Sequence, residues 1–89
     1  MNYIFDEEDE GITKEEMAEL DLEMLRGDLV GELQAINQYQ EHIDLLNDEE
    51  ARAVLEHIRD DEKEHFAELV KTIQKLDFTQ AEKFRKEGL

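Results

Sequence analysis

Glu62 and His65 stand three residues apart, so on a helix they share one face, and a carboxylate and an imidazole at that spacing can grip one cation. A third candidate emerges from the apolar seams. One seam, with alternating spacings of three and four, reads Leu22, Leu25, Leu29, Glu32, Ile36, Tyr39, Ile43, Leu46. A second reads Leu55, Ile58, Glu62, His65, Leu69, Thr72, Leu76. Each is the inward stripe of a packed helix. An unpaired buried carboxylate costs on the order of several kcal/mol, so Glu32, Glu62 and His65 at such positions need partners, protons or a metal ion.

Two long helices must hold these residues, and their relative level follows from the turn between them. A short turn near residue 47 makes the helices antiparallel and pairs positions symmetric about it. Glu32 then faces Glu62, Leu29 faces His65 and Ile36 faces Ile58. The three chemical groups converge roughly 22 Å from the hairpin tip, at 1.5 Å of rise per residue. A Glu-x-x-His pair with a carboxylate from the neighbouring helix is half of a di-metal carboxylate site. A second chain related by a two-fold axis would supply the other half and close a four-helix bundle. Oxygen-rich ligands with one nitrogen per metal favour iron or manganese over copper, and zinc could also bind.

The expected fold is all-α: an antiparallel two-helix hairpin plus a short C-terminal helix, completing a four-helix bundle by dimerisation. The chain has no proline and four glycines among 89 residues, and Glu, Leu, Lys, Ala and Gln dominate from Thr13 onward. Thr13-Lys14-Glu15-Glu16 has the form of a capping box, Asn47-Asp48 breaks and recaps the chain, and Thr79-Gln80-Ala81-Glu82 repeats the capping form. The helices are expected at about 14–46, 49–76 and from 80, with a kink or break allowed at Gly27 and Gly31. Residues 13–89 form the domain. Residues 1–12 are read as an acidic, poorly ordered tail, because Asp6-Glu7-Glu8-Asp9-Glu10 is a solvated charge run.

Composition narrows the classes of function. Twenty-six acids against ten bases give a net charge of −16, which opposes neutralising phosphates or anionic lipid, so no nucleic-acid or membrane partner is expected. Without cysteine there is neither a disulfide nor a thiolate zinc site, and so small a domain needs metal or self-association for support. The acidic amino end is unlike a secretory leader, so the expected location is cytoplasmic.

The stretch Gly31-Glu32-Leu33-Gln34-Ala35-Ile36-Asn37-Gln38-Tyr39 resembles the first ligand helix of bacterioferritins and rubrerythrins, and Asp61-Glu62-Lys63-Glu64-His65 resembles their Glu-x-x-His helix. Those proteins carry the pair twice and this chain carries it once, which resembles the encapsulated ferritins. The resemblance implies a homodimer around an inter-subunit di-iron ferroxidase centre, assembly as a ring of five dimers, and residence inside an encapsulin nanocompartment. Carried over by position, Glu32, Glu62 and His65 would be metal ligands and Tyr39 the aromatic beside the centre. Where encapsulated ferritins place further carboxylates for iron access, this sequence has Gly31 and Gln34. The missing rubredoxin cysteines argue against a rubrerythrin-type peroxidase.

Other polar residues have plainer readings. Tyr39 also fits simple core packing, and His42 and His57 fall beside the seams as surface or interface residues. Asp61, Glu64 and Glu68 belong to a solvated face, with Asp61 close enough to support a ligand. Phe78 and Phe84 are expected to clamp the third helix. Competing with the ferroxidase are two alternatives: an acidic helical dimerisation scaffold whose polar core residues set register, and a passive metal-binding protein.

Overall fold

A computed structural model describes residues 11–89, which form three helices: α1 (Lys14–Leu45), α2 (Glu49–Leu76) and α3 (Phe78–Lys86). No strand occurs among the described residues. The acidic run at 6–10 lies outside them. The capping box at Thr13 forms: its hydroxyl accepts the Glu16 N–H at 3.0 Å, and the Glu16 carboxylate accepts the Thr13 N–H at 2.9 Å. Asp48 recaps the chain after the turn by accepting the Ala51 N–H at 2.8 Å. α1 and α2 pack together as the expected hairpin. Gly27 and Gly31 do not break α1, which runs continuously through both, although each costs about 1 kcal/mol relative to alanine in a helix interior.

The third helix starts earlier than the sequence reading placed it. Asp77, not Thr79, is its cap, accepting the Gln80 N–H at 3.0 Å. Asp77 also closes α2 and accepts a hydrogen bond from Arg26 at 2.9 Å, fifty-one residues away. That tertiary bond anchors the carboxylate at the junction, and no local pattern around Thr79 reveals it. The expected aromatic clamp also fails in part. Phe84 is half-buried and lines a cleft with Leu29, Val70 and Ile73, whereas Phe78 is 75% exposed.

The α1 seam is inward along its whole expected length, from Leu22 to Leu46. The α2 seam follows the expected pattern through Leu55, Ile58 and Glu62 and then slides to Phe66, Leu69, Val70 and Ile73, leaving His65, Thr72 and Leu76 exposed. A strict seven-residue stripe drifts by about 20° per heptad on a straight helix, and α3 draws Val70 and Ile73 inward by packing on that side.

The hairpin alone has little core. Only Leu22, Ile43 and Ile73 are buried among the described residues, while Met17, Leu20, Met24, Val30, Leu33 and Val54 are exposed. The radius of gyration of 19.3 Å compares with about 12 Å for a compact chain of this length. Exposed apolar side chains on an extended chain leave apolar surface that a further surface could cover.

Candidate metal centre

α1 contributes Glu32 and α2 contributes Glu62 and His65, and one ligand atom from each lies within 4.8 Å of the others. His65 Nδ1 is 2.7 Å from Glu62 Oε1 and 3.7 Å from Glu32 Oε1. The i, i+3 spacing brings the first pair together, and the antiparallel level about residue 47 brings in Glu32. The side chains of Glu32 and Glu62 are 23% and 20% exposed, and that of His65 is 52% exposed. The cluster therefore sits at the hairpin's open edge, because the slide of the α2 seam turns His65 outward.

Electrostatics show a site short of positive charge. Loss of solvent around Glu32, then its proximity to Glu62, raises the Glu32 carboxyl above its usual 4.5. The His65 imidazole is also raised, chiefly by its hydrogen bond to Glu62, with burial opposing. Glu32 Oε1 is out of solvent's reach and has no hydrogen-bond partner. Such an orphan is costly without a proton or cation, and two carboxylates with an imidazole are a donor set suited to a hard or borderline divalent metal. The residues thus fit the metal that their spacing implied.

Tyr39 is half-buried on the same seam, seven residues or about 10 Å along the axis from Glu32. His57 pairs with Asp61 at 3.4 Å on the outer face, and both are exposed. His42 and Glu64 are exposed as well. Sequence reasoning passed over Asp28 and did not connect Glu68 to the cluster. Both line one groove with Glu32 and His65, and their charges help to raise Glu32 and His65 respectively. Their spacing was a usable signal, since Asp28 is four residues before Glu32 and Glu68 three after His65.

A profile of the EncFtn-like family matches residues 6–87. The chain belongs to the EncFtn-like family. The encapsulated-ferritin resemblance read from residues 31–39 and 61–65 therefore holds. The EncFtn-like chain is also 44% identical over 57 residues to the encapsulin nanocompartment cargo protein EncC of Myxococcus xanthus (strain DK1622). That match covers 64% of this chain and 44% of the relative, so the chain spans less than half the length of the protein it matches. Among the described residues, no helix is long and apolar enough to cross a membrane.

Proposed function

We propose that this chain is a ferroxidase that oxidises ferrous to ferric iron at an inter-subunit centre, as cargo of an encapsulin compartment in the cytoplasm. The observation that carries the reading is the convergence of Glu32, Glu62 and His65 around an unpartnered carboxylate oxygen. Family membership and the cargo role named for the Myxococcus relative support it.

One hairpin offers two carboxylates and one imidazole, too few for two metal ions. Two copies related by a two-fold axis would bring four carboxylates and two imidazoles together and cover the exposed apolar faces. Glu32 and Glu62 would hold the ferrous ions, and His65 would contribute Nδ1 once its proton has left. Manganese or zinc could occupy the same donors. Tyr39 would wall the centre from the tip side. Each iron gives up one electron, with dioxygen or peroxide as acceptor, while the protein contributes position, charge balance and limited access of water. Ten dimerised half-bundles arranged as five pairs would make an open ring, so stored ferric product would depend on the outer shell.

Anaerobic protein mixed with ferrous iron and then exposed to air tests the activity, read by ferric absorbance and oxygen consumption. A ferroxidase exceeds the protein-free rate. A passive binder holds iron at the background rate, and a scaffold neither binds nor accelerates. Aerobic loading with several hundred ferrous ions per dimer tests storage: rapid oxidation with a ferric precipitate is expected, and soluble mineral cores inside a closed particle would contradict the open ring.

A further inference from the structure

No glycine or proline stands between Glu49 and Glu87, so no residue type in that stretch demands a break between α2 and α3. The break is one residue wide. Asp77 alone leaves the helical conformation, at φ −122° and ψ 92°, and its N–H still bonds the Ile73 carbonyl at 2.8 Å as in an uninterrupted helix. The change of direction is nevertheless large, because Phe84 lines one cleft with Leu29, Val70 and Ile73. On a straight helix Ile73 and Phe84 would lie roughly 16 Å apart. In a continuous helix the Gln80 N–H would bond the Leu76 carbonyl, whereas here it donates to the Asp77 carboxylate at 3.0 Å. That cap offsets part of the loss without directing α3 to either side. Direction comes from α1: Arg26 donates to Asp77 Oδ2 at 2.9 Å, and Leu29 walls the cleft that takes Phe84. Arg26 is half-exposed and also has Glu19 at 4.0 Å, so the tie is a surface ion pair with a competitor.

We propose that the α2–α3 junction is a two-state hinge, held bent by Arg26 and the Phe84 cleft and straightening into one helix from Glu49 to Lys86 when that tie is released. The two forms hold different contacts. The bent form has the Arg26–Asp77 pair and the shielding of Phe84, and the straight form has the backbone hydrogen bonds that the break interrupts. Neither set is complete in the other form, which makes the element bistable rather than gradually deformable. α3 carries Lys83, Arg85 and Lys86 in its last turn, so the tie also decides where a basic end of an acidic chain points. None of the hinge residues belongs to the candidate metal centre, and the proposal stands or falls apart from it.

The chain has no cysteine, so nitroxide labels at Glu56→Cys and Lys86→Cys, both exposed positions, can report the hinge by pulsed electron paramagnetic resonance. Labelled full-length chains are diluted into unlabelled protein, so that each measured pair lies within one chain. A straight helix sets the two labelled backbone positions about 45 Å apart, and the bent form brings them closer. The otherwise unaltered chain should give the shorter distance alone. Arg26→Ala, which leaves Asp77 able to cap, should shift a large share of chains to the long distance, and Phe84→Ala should do the same by emptying the cleft. Arg26→Lys should restore the short distance. Adding Phe78→Gly to Arg26→Ala should scatter the distances, because glycine weakens the continuous helix. Either alanine variant reaching the long distance supports the hinge. Both keeping the short distance overturns it, since the local cap would then suffice. A broad distribution in Arg26→Ala without the long component also overturns it, because α3 would be a loose arm and not the end of a longer helix.

Discussion

Asp77 at the α2–α3 junction and Glu32 in the middle of α1 are nearly equally shielded, with side chains 20% and 23% exposed, yet their carboxyl groups are displaced in opposite directions. Asp77 is held below its usual 3.8, first by the N–H of Gln80 and then by Arg26. Glu32 is raised, first by loss of solvent and then by the neighbouring Glu62 carboxylate, and one of its oxygens has no hydrogen-bond donor. Partners, rather than depth, decide the difference. The lesson is one of division of labour. A carboxylate whose hydrogen bonds are completed within the chain builds architecture, and one left incomplete is available to a ligand that the chain does not contain.

The largest effect that can break this comparison is on iron oxidation. Glu32→Ala, Glu62→Ala and His65→Ala should each bring the rate close to that of a protein-free control. Asp77→Ala, assayed where it is folded, and Glu64→Ala, on the exposed face beside Glu62, should keep most of it. Equal losses at Glu62 and Glu64 would mean that the wrong helical face has been assigned.

Assembly offers the next test. With metal present, light scattering at micromolar protein should report at least a dimer, and chelator should shift the distribution toward smaller species, because clustered carboxylates repel until a cation neutralises them. A well-folded monomer in the presence of metal would contradict an inter-subunit centre.

Stability should respond in opposite senses at the two carboxylates. Asp77→Ala removes a helix cap and strands Arg26, and should lower the melting temperature by about 5 °C. Glu32→Ala relieves repulsion and should leave the metal-free melting temperature unchanged or raise it. A loss at position 32 as large as that at position 77 would make Glu32 architectural too.

The smallest effects are in pH dependence, and they sharpen the contrast. Glu32 and His65 bind protons more tightly in the folded chain than in the unfolded one. Their contribution to metal-free stability is complete below the ordinary values of 4.5 and 6.5 and is lost as pH rises through the raised ones. Asp77 contributes above 3.8 and loses its contribution as pH falls through its lowered value. Melting curves without metal should therefore decline from about pH 5 to pH 8, less so in His65→Ala, whereas Asp77→Asn should lower the whole curve above about pH 4 by a constant amount and change its slope only in the acid limb. Metal affinity should run the other way and weaken as pH falls, since protons compete for the same ligands.

Much of the centre was legible because helical geometry is regular. A spacing of three places Glu62 and His65 on one face, and symmetry about a short turn assigns Glu32 to their level whatever the details of packing. The boundaries of α1 and α2 were legible for a similar reason, since Thr13 and Asp48 cap through bonds to residues three positions on. The start of α3 was not, although Asp77 caps through the same kind of bond to Gln80, because the Thr79-x-x-Glu82 pattern two residues on competes with it locally and the Arg26 bond that favours Asp77 comes from across the hairpin. Ile73 was missed as a core residue because the seam was continued as a strict heptad past the level where the straight helix drifts and α3 packs.

By itself, the sequence determined the all-helical class, the hairpin and the identity of the three candidate ligands, all of which depend on local capping and on periodicity along single helices. Tertiary structure alone decided that the α2 seam rotates beyond Glu62, that His65 faces outward at an open edge, and that Glu32 keeps an oxygen without a partner. Those outcomes depend on how two helices and a third pack against one another. Burial and unmet hydrogen bonds are properties of that packing, not of any stretch of chain.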